Sequence, residues 1–206
     1  HVAGVTLKGI VTCIRHFGPE KARETAKCAA ETASDWIVGF GMGGAEDVGR
    51  ATDFAYAFDI AREAGLRLTS HAGEWGGSQS VWETVNDLKV ERIGHGVHSI
   101  NDLNLVRYLA ETGIVLEVNP GSNVALGVFH SFAEHPIAKL RDAGVKVTVS
   151  TDDPPFFHTT MTREFEELER AFGWGSDDFK RLNQTALEAA FCDATTKEII
   201  SKRLDT

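Results

Sequence analysis

Five side chains suited to acid–base or metal chemistry fall just after short strand-like segments: His71, Glu74, His95, Asp152 and Asp153. Two imidazoles and two carboxylates gathered around one mouth would make a divalent-metal site. Zinc suits such nitrogen and oxygen donors, and an open position on it makes water nucleophilic near neutral pH. Glu74 follows His71 by three residues, close enough to serve the same pocket without being a ligand. A carboxyl raised in pKa there would act as a general acid. The adjacent Asp152 and Asp153 point in different directions, so one can face a metal and the other a substrate donor. Singly these residues mean little, because Asp-Asp-Pro is commonly a turn and a lone Glu74 is commonly a surface charge. Their recurrence after consecutive strands gives them weight. His16, His98, His130, His135 and His158 are read as structural hydrogen-bonding residues.

The elements that must position these groups alternate along the chain. Strands are expected at 5–13, 36–40, 66–70, 92–94, 114–118 and 145–150. Helices are expected at 19–33, 52–64, 78–88, 101–112 and 135–143, then at 162–172, 177–191 and 195–204, with 119–123 as a loop. Six strands alternating with helices predict a parallel α/β sheet with crossover helices. Polar residues at the strand ends (Glu46, His71 with Glu74, His95, Asn123, Asp152 with Asp153) match where a TIM (β/α)8-type barrel keeps its active site. A closed barrel has eight strands and about 250 residues. The 206 residues here therefore predict an incomplete barrel of about six βα units, with the first one or two missing at the N-terminal side. An open doubly wound sheet is the alternative. The Gly39, Gly41, Gly43, Gly44 cluster lacks the spacing of a dinucleotide-binding turn. With no linker, repeat or low-complexity stretch, 1–206 reads as a single domain.

Composition bounds the function. The chain is 42% hydrophobic and 25% charged, ordinary for a globular protein. No apolar run is long enough to span a membrane. A net charge of −9 repels phosphate backbones, so nucleic acid is an improbable partner. Cys13, Cys28 and Cys192 are odd in number and irregular in spacing. They imply neither a disulfide framework nor a cysteine-built zinc site, and they suit a reducing cytoplasm.

Four segments stand together in one order: Ser70-His71-Ala72-Gly73-Glu74, Arg92-Ile93-Gly94-His95-Gly96, Ser122-Asn123 and Ser150-Thr151-Asp152-Asp153-Pro154-Pro155. In that order they resemble the adenosine deaminases of the metal-dependent amidohydrolase superfamily, and the likeness runs from about Val5 to Leu204. The resemblance implies zinc-dependent hydrolysis of adenosine, and of 2'-deoxyadenosine, to the inosine product and ammonia in purine salvage. It implies one zinc per site, with His71 and Asp152 as ligands. Glu74 would protonate purine N1. His95 would orient and help deprotonate the attacking water and stabilise the oxyanion. Asp153 would hydrogen-bond N7, and Gly44, with Gly43 as fallback, would offer its N–H to N3.

Two departures qualify this. The family's first strand carries His-x-His, two further zinc ligands, and no such pair occurs here; His1 is followed at position 3 by Ala3. The missing ligands and the missing strands point to the same absent N-terminal segment. The chain alone is therefore expected to be inactive, and its open sheet edges could self-associate. Gly41-Met42-Gly43-Gly44-Ala45-Glu46 also departs from the family's pattern. Adenine or modified-nucleoside deamination is the alternative, with Asp153-Pro154-Pro155-Phe156-Phe157 mildly favouring nucleosides. A catalytically silent purine-binding barrel is a further one. A two-metal hydrolase with a bridging lysine is disfavoured, since Lys8 and Lys146 do not lie at strand C-termini.

Overall fold

The computed structural model describes residues 4–204, so His1 lies outside the described residues. Six strands, β1 (Gly9–Ile14), β2 (Ile37–Gly43), β3 (Arg67–Ala72), β4 (Arg92–His95), β5 (Val115–Val118) and β6 (Val147–Val149), form one sheet in sequence order. Every neighbouring pair is parallel. Each crossover contains helix: α1 (Gly18–Glu31), α2 (Ala51–Glu63), α3 (Gly77–Glu83), α4 (Leu103–Thr112), then α5 (Pro120–Ala125) with α6 (Ile137–Asp142). After β6 come α7 (Pro154–Phe157), α8 (Met161–Phe172), α9 (Ser176–Ala189) and α10 (Ala194–Leu204). This is the partial barrel of βα units that the sequence predicts.

The outer helical layer is built on small-residue spacing. Ala22, Ala26 and Ala29 of α1 are buried, as are Phe54, Ala57, Phe58 and Ala61 of α2. Phe40 of β2 meets Phe58 edge to face, ring centroids 5.2 Å apart. Burying a side chain of this size stabilises the fold by about 1.5–3 kcal/mol. Helix ends are set locally. The Asp102 carboxylate accepts from the N–H groups of Asn104 and Leu105 at the start of α4, and Gly113 takes the left-handed turn that closes it.

Three expectations shift. The strand expected from residue 5 begins at Gly9, because Val5 and Leu7 are exposed. The helix expected over 78–88 changes hand-hold after Glu83, where Thr84–Leu88 forms a wider π turn ending at a left-handed Lys89. Buried Thr84, Val85 and Leu88 continue the apolar spacing, which is why the sequence hides the change. The loop expected at 119–123 contains α5, started by Pro120, whose fixed φ suits a first helical position.

Candidate active site

The parallel register decides which side chains share a face. His71 pairs with Gly94, and Gly94 with Glu117. A Cβ on Gly94 would sit 2.6 Å from His71 Cδ2. Only glycine on the neighbouring strand leaves room for the imidazole. His95, at the end of β4, has φ +63°, and Asp152, beyond β6, has φ +57°. Left-handed backbone is costly for residues with a Cβ and concentrates at functional sites. Here it re-aims two side chains at the moment their strands end.

These turns bring the predicted groups together. The rings of His71 and His95 meet edge to face with centroids 5.0 Å apart. His95 Nε2 lies 3.8 Å from Asp152 Oδ2, and His95 Nδ1 lies 3.5 Å from Glu74 Oε1. A cavity of about 430 Å³ opens onto His71, Gly94, Asn119 and Asp152. The Ser122 hydroxyl donates to Asp152 Oδ2 at 2.7 Å and fixes that carboxylate.

The site splits the protonation of its groups. Burial pushes the Glu74 carboxyl up to about 7, helped by the negative charges of Asp152 and Glu46 and opposed by the Asn123 amide. Burial, reinforced by His71, pulls His95 down to about 3, so it is a neutral imidazole at pH 7. A carboxyl that keeps its proton near neutrality beside a neutral imidazole is the arrangement of a general acid next to a hydrogen-bonding partner.

Residues not placed among the site groups complete it. Glu46 accepts from the backbone N–H of Gly73 and Glu74 at 2.7 Å, of Gly76 at 3.1 Å and of Trp75 at 3.3 Å, and from the Ser80 hydroxyl at 2.7 Å. These bonds hold its carboxyl below the usual range despite burial, and they clamp the loop that carries Glu74. His98 Nδ1, 3.1 Å from the Gly73 carbonyl, supports the same loop. The position of Glu46 after β2 singles it out in sequence, but its partners lie 27 to 34 residues away and leave no local signal. Asn119 Nδ2, 3.4 Å from His95 Nδ1, carries no such signal either.

The proposed substrate-binding residues are placed less tightly. Gly43 borders the His71 ring, its would-be Cβ 3.5 Å from Cε1, whereas Gly44, at φ +97°, borders His16 Nδ1 at 2.9 Å. Asp153 is exposed at the start of α7.

His71 and Asp152 offer the nitrogen and oxygen donors zinc takes, on one cavity wall. Among the described residues no group of three His, Cys, Asp or Glu is placed to hold a metal ion. The donors present thus fit part of a zinc site.

The chain belongs to the adenosine deaminase family, whose model matches residues 1–206. It is 52% identical over 202 residues to an adenine deaminase of Rhizobium rhizogenes, covering 98% of this chain and 63% of that protein. An adenine deaminase of Agrobacterium fabrum is 50% identical over 201 residues, covering 98% and 62%. Among solved structures, the adenine deaminase from Arthrobacter aurescens superposes with a TM-score of 0.93 at 28% identity, covering 98% of this chain and 62% of that one. The N6-methyl-AMP deaminase of Arabidopsis thaliana gives 0.87 at 26% identity, covering 96% and 58%. An amidohydrolase from Burkholderia ambifaria, solved with bound Zn, gives 0.90 at 28% identity, covering 98% and 57%. The chain thus spans about three-fifths of the length of the relatives it matches.

Proposed function

We propose that this chain forms the larger part of a zinc-dependent purine deaminase acting on adenine. The observation that carries deamination is Glu74, a buried carboxyl that keeps its proton near pH 7 beside Asp152 and neutral His95. The choice of adenine over adenosine is supported by the adenine deaminases at about half identity across nearly the whole chain. They weigh more than the sequence expectation of adenosine and the mild nucleoside preference drawn from 153–157.

His71 and Asp152 would hold the metal together with donors beyond the described residues. Bound there, zinc supplies the Lewis acidity that makes water nucleophilic at neutral pH. Glu74 gives its proton to purine N1 and makes C6 electrophilic. Water oxygen bonds to C6, its proton passes to the Asp152 carboxylate, and His95 donates a hydrogen bond to the new oxygen. Asp152 passes that proton to the C6 amino nitrogen, the C6–N bond breaks as the hydroxyl proton returns to the Glu74 carboxylate, and ammonia and the 6-oxopurine leave. Asp153 would meet N7, and the backbone N–H of Gly44 would meet N3. The test uses the protein at the length of its relatives, loaded with zinc, and measures release of ammonia from adenine, adenosine and 2'-deoxyadenosine and of methylamine from N6-methyl-AMP. Adenine is expected to have the highest kcat/KM; a higher value for either nucleoside would return the reading to adenosine deamination.

A further inference from the structure

A buried polar chain runs from the backbone of α6 to His95. The Ile137 N–H donates to His135 Nδ1 at 3.2 Å. It is one of the donors that the start of a helix leaves without an internal partner. His135 Nδ1 is therefore an acceptor, and a neutral imidazole must carry its proton on Nε2. Burial, with His95 nearby, pulls His135 down to about 3 and keeps it neutral. His135 Nε2 lies 3.2 Å from Asn123 Oδ1, so that N–H donates to the amide oxygen. The amide nitrogen of Asn123 then faces Glu74 Oε1 at 3.0 Å and His95 Nδ1 at 3.2 Å, with one hydrogen for each. Asn119 Nδ2 approaches the same ring nitrogen at 3.4 Å. Asn123 is fully buried and His135 nearly so, so no water competes for these partners.

We propose that His135 is a positioning residue that, through the Asn123 amide, holds His95 with its proton on Nε2, making His95 a hydrogen-bond donor to the reacting oxygen. This deepens the deaminase reading and rests on it for the identity of that oxygen. The direction of each bond follows from a backbone N–H, which cannot reverse. His95 Nδ1 is held by amide donors, and Nε2 is the nitrogen directed at Asp152. A ring nitrogen that already bears its proton has no free lone pair and cannot take another. On this proposal removing the water's proton falls to Asp152, and His95 acts as a hydrogen-bond donor rather than as the partial base that the family resemblance implies. The same amide donates to Glu74, so one side chain orients both the acid and the donor.

The test is nitrogen-resolved NMR of the imidazoles in the metal-free protein at the length of its relatives, with H95Q assigning the His95 signals. His95 is expected to be protonated at Nε2 and bare at Nδ1. H135F is expected to free Asn123 to turn over, so that both His95 tautomers appear. In the zinc-loaded enzyme its kcat for adenine is expected to fall about 10- to 100-fold, the scale on which loss of a partner that orients an active-site side chain is felt, with KM near its original value. H135Q, which keeps a donor for Asn123 Oδ1, is expected to restore most of that loss. A His95 protonated at Nδ1 in the unsubstituted protein overturns the proposal whether or not the variants fold. An unchanged tautomer in H135F, or no rescue by H135Q, overturns it equally. The tautomer needs no substrate to be read, so an error in the deaminase assignment would show separately, as absent turnover with the tautomer intact.

Discussion

In the proposed deamination Glu74 is the acid, and its neighbourhood makes two measurements decisive. Glu74→Gln keeps the shape and the metal donors but has no proton to give. It is expected to retain zinc while kcat for adenine falls by about 10²–10⁴; loss of zinc along with activity would mean the carboxyl holds the metal site. The raised pKa also makes a stability statement. Below about 4.5 the carboxyl is protonated in folded and unfolded chains alike. As pH rises through about 7 the folded chain must carry a buried carboxylate beside Asp152 and Glu46. Metal-free protein is thus expected to lose stability relative to Glu74→Gln across pH 4.5 to 7, measured by denaturant unfolding of both. His71, Glu74, His95 and Asp152 were legible because each lies at or just after the end of a short strand-like segment. His135 was not: a histidine before a proline at a helix start looks the same whether it caps a helix or orients an active site through another side chain.

At the scale of elements, the strands set the site through what they omit. Gly94 gives β3 and β4 the close approach that lets His71 face inward. Gly94→Ala is expected to displace that ring and weaken zinc binding and turnover more than it changes the melting temperature, checked by metal titration beside thermal unfolding. Glu46 works in the opposite sense, by holding the loop after β3 through its backbone. Glu46→Gln replaces one acceptor oxygen and the charge, and is expected to cost about 2–3 kcal/mol of stability, read from the denaturant midpoint. Element order was legible from alternating periodicity, because β-branched runs and Ala-spaced helices differ in period. The π turn at 84–88 and the short α5 were not, since each keeps the apolar spacing or the proline start of a commoner structure.

At the scale of the molecule, two acid-sensitive groups lie under the same rim. His95 and His135 are both pulled down to about 3 by burial, whereas in the unfolded chain they take up protons near pH 6.5. A depressed folded pKa means stability that is present above about pH 6.5 and is lost as pH falls toward 3. The chain is expected to unfold in mild acid, with the denaturant midpoint dropping across that window. A midpoint flat from pH 6.5 to 4 would show these imidazoles to be accessible to protons in the folded state. The 206 residues alone, with His71 and Asp152 as the expected ligands, are expected to bind zinc weakly; stoichiometric, tightly held zinc would show that two ligands suffice. That the βα units form an incomplete barrel was legible from the strand count, whereas the clamp by Glu46 and the Asn123 chain were not, because they join segments far apart in sequence.

The left-handed turns at His95 and Asp152 set thermal endurance against chemistry at the same two positions. Glycine would relax either turn, by roughly 1–2 kcal/mol of steric cost, and at 152 it would also remove a negative charge facing Glu74. Variants screened only for heat resistance should therefore drift toward glycine at 152 and emerge sturdier but inert.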